Sequence, residues 1–196
     1  SLNSIAQSLE EVFQAVKEGK TAEVRRLLDR GLDVNTTDAN GDTLLMLATQ
    51  KHDHELAGML IARKADVSRR NRYGDSALMM ASLTGDLALV KAFVEGGATV
   101  NQSGWSALHY AAFGGSAPVV AYLISKGADK NAVAPNGYTP LMLAARDGQV
   151  EAAKSLLFED ADANFRNSAG ETAMAVAERR KKPEMIELLK RAGALE

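Results

Sequence analysis

The sequence predicts an all-α solenoid of six stacked helix-turn-helix repeats joined by β-turn or hairpin fingers. Two landmarks and one shared irregularity carry that expectation. The first landmark is a Gly-x-Thr/Ser step at Gly41-Asp42-Thr43, Gly74-Asp75-Ser76, Gly104-Trp105-Ser106, Gly137-Tyr138-Thr139 and Gly170-Glu171-Thr172, with glycines 33, 30, 33 and 33 residues apart. The second reads Gly31-Leu32-Asp33-Val34-Asn35, Lys64-Ala65-Asp66-Val67-Ser68, Gly97-Ala98-Thr99-Val100-Asn101, Gly127-Ala128-Asp129-Lys130-Asn131 and Asp160-Ala161-Asp162-Ala163-Asn164, closing with Gly193-Ala194. Its spacings are 33, 33, 30, 33 and 33. Independent landmarks that share one period, and slip together once, mark an array of one supersecondary unit.

Within each unit the residue chemistry orders the elements. Thr43, Ser76, Ser106, Thr139 and Thr172 stand where a hydroxyl caps the free amides of a first helical turn. A short apolar helix follows, as in Leu44-Leu45-Met46-Leu47-Ala48 or Pro140-Leu141-Met142-Leu143-Ala144. Pro140 suits the first helical position, which needs no amide hydrogen. Ala48, Ala81, Ala111, Ala144 and Ala177 let neighbouring helices come close. A turn often holding glycine comes next (Gly85, Gly115, Gly148). A second helix then places apolar residues at i, i+3 and i+4, as in Val90, Phe93, Val94 and Val120, Leu123, Ile124. Gly31, Gly97, Gly127 and Gly193 end that helix in the left-handed region. A first unit, with Phe13, Ala15 and Val16 on one helix and Val24, Leu27 and Leu28 on the next, lacks the Gly-x-Thr entry and reads as an N-terminal cap. The expected organisation is a single domain over 1–196, with repeats at about 5–35, 36–68, 69–101, 102–131, 132–164 and 165–196.

These segments resemble the ankyrin repeat, a β-turn plus two antiparallel helices over about 33 residues. The family's Thr-Pro-Leu-His-x-Ala signature is kept in part: Thr139-Pro140-Leu141-Met142 retains the proline, and Ser106-Ala107-Leu108-His109 retains the histidine. The resemblance runs from about Ser8 to Ala194. It implies a scaffold that binds another protein, with His109 as a structural ring bonded within the hairpin and helix array. Fold alone does not fix function. The segments Gly104–Ala112 and Asn136–Ala145 are similar to small ankyrin proteins of proteobacteria, many of them exported. That similarity implies a bacterial protein, periplasmic by preference and cytoplasmic as the alternative. The chain opens Ser1-Leu2 without Met, so an excerpt or a processed product is expected, from which an export signal could have been removed.

The departures from the pattern are particular to this chain. Asn101 and Gly104 are three residues apart where the other units have six, so the fourth finger is short and a notch is expected at Gln102-Ser103. Trp105, the only tryptophan, follows it, and Tyr138 holds the matching position one repeat on. Two roles for Trp105 stay open: an aromatic hot spot for a partner, or packing into the space left by the missing finger. In the second repeat His52 and Lys64 replace turn glycines, and Gly58 sits inside the second helix. That repeat is expected to be the least stable.

Composition limits the chemistry. A net charge of −2 and 24% charged residues give no electrostatic footprint for nucleic acid. No segment approaches the ~18 apolar residues needed to span a bilayer. With no cysteine, disulfides and thiolate chemistry are excluded. Neither a nucleophile elbow nor a phosphate-cradling glycine loop occurs. His52-Asp53-His54 reads as a polar surface turn rather than a metal seed. Arg179-Arg180-Lys181-Lys182 reads as a solvated cap turn, with contact to an acidic partner as the alternative. Arg69, Arg70 and Arg72 are offset by Asp75.

No catalytic residue, cofactor or metal ligand is therefore expected, and the chain reads as a non-enzymatic monomer. The resemblance places partner contacts at finger tips and on the exposed side of each first helix. By position these are Ala39, Asn40 and Asp42, then Arg72, Tyr73 and Asp75, then Trp105 and Phe113, then Asn136, Tyr138, Arg146 and Asp147, then Glu171 and Arg179. The central set is Arg72, Tyr73, Asp75, Trp105, Phe113, Tyr138, Arg146 and Asp147, an aromatic patch edged by charge, which is the anatomy of an interface. The competing expectations are a structural spacer or self-associating element and, behind it, a small-molecule-binding protein.

Overall fold

The computed structural model describes residues 2–195, and among them the regular elements are α-helices in six consecutive pairs. The pairs are α1 (Leu2–Lys17) with α2 (Thr21–Asp29), α3 (Leu44–Gln50) with α4 (His54–Ala62), α5 (Ala77–Thr84) with α6 (Leu87–Glu95), α7 (Ala107–Gly114) with α8 (Ala117–Ser125), α9 (Pro140–Asp147) with α10 (Val150–Phe158), and α11 (Ala173–Arg179) with α12 (Pro183–Arg191). Each pair falls inside one expected repeat, except that α1 begins at Leu2, ahead of the expected start near residue 5. The fingers contain no strand among the described residues. Isolated bridges close two of them, Thr37 with Thr43 and Arg70 with Ser76.

The chain divides into two compact units, and the division falls within the third pair: one unit is Ser1–Ala81 with Ala88–Ala98, the other Ser82–Leu87 with Thr99–Glu196. In the first unit α1 packs on α2, α3 on α4, and α1 against α3. Its core includes Val24, Leu27, Leu44, Leu56, Leu60 and Phe93, each removed from solvent. In the second unit α7, α9 and α11 pack in sequence, as do α8, α10 and α12. Leu108, Val120, Leu123, Leu141, Leu156, Met174 and Leu189 fill the space between those rows. Burying one such side chain contributes about 1.5–3 kcal/mol relative to leaving it exposed. Ala48, Ala81, Ala111, Ala144 and Ala177 are all fully buried, as the close approach of first helices requires.

The hydroxyl caps form as the landmark implies. The Thr43, Ser76, Ser106, Thr139 and Thr172 side chains accept from the backbone N–H three residues on, at 3.1–3.4 Å. In the second and third repeats, which lack the family's histidine, methionine takes over part of its work. The Thr43 N–H donates to Met46 Sδ and the Ser76 N–H to Met79 Sδ, both at 3.4 Å. The second landmark also acquires a physical reason. Asp33, Asp66, Asp129 and Asp162 each accept from the N–H two residues later, at 2.9–3.0 Å. The asparagine at the end of the step then reaches into the next repeat: Asn35, Asn131 and Asn164, and Asn101 after Thr99, accept from the N–H of Asp66, Asp162, Leu195 and Asp129 respectively. One Asp-x-Asn step thus shapes its own turn and bonds to the next repeat.

Turn glycines are missing at more places than His52 and Lys64. Both adopt positive φ (54° and 63°), but so do Asp160 (58°) and Lys181 (53°), at the equivalent positions of the fifth and sixth repeats. The second repeat is therefore not alone in lacking them, which corrects the expectation from sequence. A side chain in this region costs roughly 1–2 kcal/mol per residue. Gly58 remains peculiar to the second repeat: it is exposed on α4, and a Cβ added there would meet nothing within 4 Å. Gly58→Ala is accordingly expected to raise stability by about 0.5–1 kcal/mol. Urea unfolding measures the gain. Hydrogen exchange over 53–64, expected to be faster than over 86–97 in the parent chain, should slow in the variant.

Candidate partner-binding groove

The site grows from the cap of α7. Ser106 starts the helix, and His109, three residues on, is fully buried beneath it. The imidazole Nδ1 accepts from the Ser106 N–H at 3.2 Å and lies 2.8 Å from the Ser106 hydroxyl. Its Nε2 lies 3.0 Å from the Ala132 carbonyl oxygen and 3.2 Å from that of Tyr138. Carbonyls only accept, so the proton sits on Nε2 and Nδ1 is the acceptor. Burial pushes the ring's pKa below its ordinary value of 6.5, opposed by the Tyr138 and Ala132 carbonyls and by Asp129. His109 is a neutral structural ring that pins the base of the fifth finger to α7.

That ring is also a wall. Trp105 stands edge-on to His109, with centroids 5.6 Å apart and planes at 77°, and edge-on to Tyr110 at 6.3 Å and 86°. Gln102 Nε2 donates to the Trp105 carbonyl at 3.1 Å across the shortened finger. Phe113 lies on the same helix, 42% exposed, and the Arg146 guanidinium carbon lies 5.3 Å from its ring centroid. Arg146 donates through Nε and Nη2 to Asp147 Oδ2, at 3.0 and 2.8 Å. Leu83, Trp105, His109, Tyr110, Phe113, Leu143 and Arg146 together line a groove of about 250 Å³, all within the second unit. Its walls are almost wholly apolar.

Of the residues expected at a binding surface, Trp105, Phe113 and Arg146 meet in this groove, with Asp147 at its edge. Trp105 packs and lines at once. Tyr138 is not among the lining residues: its hydroxyl accepts from Arg179 Nη2 at 2.8 Å. Arg179 also pairs with Glu171, and that pairing, followed by the Asn167 amide, holds the Glu171 carboxyl below its usual range. Tyr73 belongs to the first unit, where it tops the third finger at 75% exposure beside the exposed Arg72. Asn71 Oδ1 shapes that tip, accepting from the N–H of Tyr73 and of Asp75. Asp42 departs from the expectation. It is 6% exposed, and its carboxylate accepts from Gln50 and Asn71, so it braces the fingers from inside.

Leu83, Tyr110 and Leu143 are groove residues that motif reading does not reach. They become visible when the chain is read down its repeat columns: Leu83, Phe113, Arg146 and Arg179 share one register position, and Tyr110 and Leu143 another. Two columns of the first helices, with Trp105 and His109, build the groove.

Paired helices, hydroxyl caps, Asp-x-Asn steps and bonded fingers define a helical repeat protein of the kind that presents an interaction surface. The chain belongs to the ankyrin-repeat family: models described as ankyrin repeats match residues 12–61, 60–134 and 127–195. It is similar to an ankyrin repeat protein of Rickettsia bellii, 29% identical over 59% of this chain and 35% of that protein. It is also similar to protein phosphatase 1 regulatory subunit 27 of Mus musculus, 37% identical over 50% of this chain and 67% of that one. Against four relatives, among them the Rickettsia protein, the chain spans only 11–35% of their length. Among solved structures, the human ASB11 ankyrin repeat domain has a TM-score of 0.85 at 25% identity, covering 94% of this chain and 84% of that one. An ankyrin repeat domain from Acinetobacter baumannii AYE has a TM-score of 0.82 at 28% identity, covering 94% and 98%. The fold is the all-α ankyrin-repeat solenoid, and ankyrin repeats as a class are modules for protein–protein interaction.

Proposed function

We propose that this chain is a non-enzymatic scaffold that takes a partner protein in the groove between Trp105, Phe113 and Arg146. Finger-tip residues such as Arg72, Tyr73 and Asp75 supply further contacts. The groove itself is what supports the reading. Phe113 keeps 42% of its surface in water at a position where the next two repeats carry Arg146 and Arg179. An aromatic hollow with a charged edge matches the apolar centre and polar rim of an interface. Its volume of about 250 Å³ lies below the range of roughly 300–1,000 Å³ common for small-molecule sites, which favours a side chain as occupant over a free ligand.

The test compares the parent chain with Phe113→Ala and Trp105→Ala. Partners captured quantitatively from the source cell are expected to lose affinity by about 2 kcal/mol, roughly thirtyfold, with each variant. Phe113→Ala should leave the unfolding midpoint nearly unchanged, because its ring is half in water. Unchanged capture together with a large loss of stability would reduce both aromatics to packing. Light scattering on the purified chain covers the competing reading. A concentration-dependent dimer abolished by Phe113→Ala would make the groove a self-association surface.

A further inference from the structure

Arg146 is the one charged side chain lining the groove, and its guanidinium is only partly engaged. Nε and Nη2 both donate to Asp147 Oδ2, while Nη1 has no hydrogen-bond partner among the described residues. The guanidinium is held in place from two sides, by Asp147 and by the Phe113 ring 5.3 Å away. A fixed guanidinium loses little further freedom when it binds a carboxylate, and its planar fork suits one. Below it the hollow is walled by Trp105, Tyr110, Phe113 and Leu143, which offer apolar surface and few polar partners. A cationic ligand is disfavoured, because Arg146 already covers the Phe113 face on which a cation would sit.

We propose, resting on the reading of this groove as the partner site, that its occupant is a segment of the partner carrying a large apolar side chain directly beside a carboxylate. The apolar group fills the hollow and the carboxylate is received by Arg146 Nη1. Asp147 takes part by holding the Nε–Nη2 edge of the guanidinium, which leaves the two N–H groups of Nη1 and the second N–H of Nη2 to donate to a ligand, while its own negative charge disfavours segments with several adjacent negative charges.

Trp105 is the only tryptophan, so its indole N–H gives one identifiable resonance at the groove. The ¹⁵N-labelled chain is titrated with three blocked peptides, acetyl-Gly-Leu-Asp-Gly-amide and its Leu-Asn and Ala-Asp counterparts. The Leu-Asp peptide is expected to shift the resonance saturably. The Leu-Asn peptide should bind roughly five- to tenfold more weakly, as loss of one charge-assisted contact implies. The Ala-Asp peptide should leave the resonance unmoved. In Arg146→Gln the Leu-Asp and Leu-Asn peptides should become equivalent. Equal binding of those two peptides to the parent chain overturns the proposal, and so does a chain that responds to none of them. Neither result touches the scaffold reading, which falls only if natural partners are captured equally by the Phe113 and Trp105 variants.

Discussion

Gly114→Ala is expected to destabilise the chain by about 3 kcal/mol, at or beyond the upper end of ordinary overpacking costs. Gly114 is the last residue of α7, and a Cβ built on it falls on the Leu83 carbonyl oxygen, well inside the 3.0 Å that real Cβ atoms keep. The Leu83 carbonyl carbon and Cα follow at 3.0 and 3.3 Å. The obstacle is backbone, so no rotamer change relieves it, and α7 must move away from the end of α5. The same substitution at Gly58 meets open space and gains stability, which makes the pair a controlled comparison: one chemical change with opposite signs. Urea unfolding of both variants is the measurement, and a neutral Gly114→Ala would mean that α7 shifts freely. A shift has a second consequence. Leu83 and Phe113 both line the groove, and Phe113 directly precedes Gly114, so the close approach is what brings the two side chains into one hollow. Partner affinity should therefore fall along with stability, whereas Phe113→Ala loses affinity alone.

Most of the repeat architecture is legible in the sequence, because it is written in local chemistry. Thr43, Ser76, Ser106, Thr139 and Thr172 cap helices with their own next turn, and Asp129 shapes the turn that ends at Asn131. Such effects reach two or three residues and recur every 30 or 33. The Gly114 contact is not legible. Its partner is 31 residues away, and a glycine closing a helix before a second glycine looks like ordinary turn chemistry. Tyr138 shows a different limit. Its position matches that of Trp105, but the direction of its side chain is decided by Arg179, which is 41 residues on and itself paired with Glu171. Asp42 likewise looks like a finger-tip charge until Gln50 and Asn71 bond it from within. Asp160 and Lys181 pass unnoticed as left-handed residues, because Asp and Lys are unremarkable in a polar turn until the column of glycines above and below them is read. At Trp105 the sequence leaves packing and partner contact as alternatives, and the structure adds where the ring lies: it packs on His109 and Tyr110 and forms a wall of the groove.

His109→Ala is expected to cost about 3 kcal/mol, since it opens a space in a closed region and strips the donor from two carbonyls. The chain itself supplies the better control. At Met46 and Met79 a sulfur accepts the cap N–H that His109 Nδ1 accepts in the fourth repeat. His109→Met should therefore preserve the cap and much of the volume, lose the Nε2–H contacts to Ala132 and Tyr138 and the edge-on ring contact with Trp105, and cost about 1–2 kcal/mol. The advantage of histidine over methionine is also pH-dependent, with a sign fixed by burial. The folded ring's pKa lies below 6.5, so between that lowered value and 6.5 the unfolded chain binds more protons than the folded one, and stability falls as pH falls. The stabilisation due to His109 is complete above about pH 6.5 and is lost as pH drops through the window below it. The parent and His109→Met chains both retain His52 and His54, so the comparison isolates position 109. That difference should be largest near neutral pH and shrink steadily toward about pH 5. A difference that stays constant across this range would mean that the ring titrates as it does in the unfolded chain, and that burial does not hold it neutral. If the difference shrinks as expected, the base of the fifth finger, and with it the wall of the groove behind Trp105, loosens in mild acid.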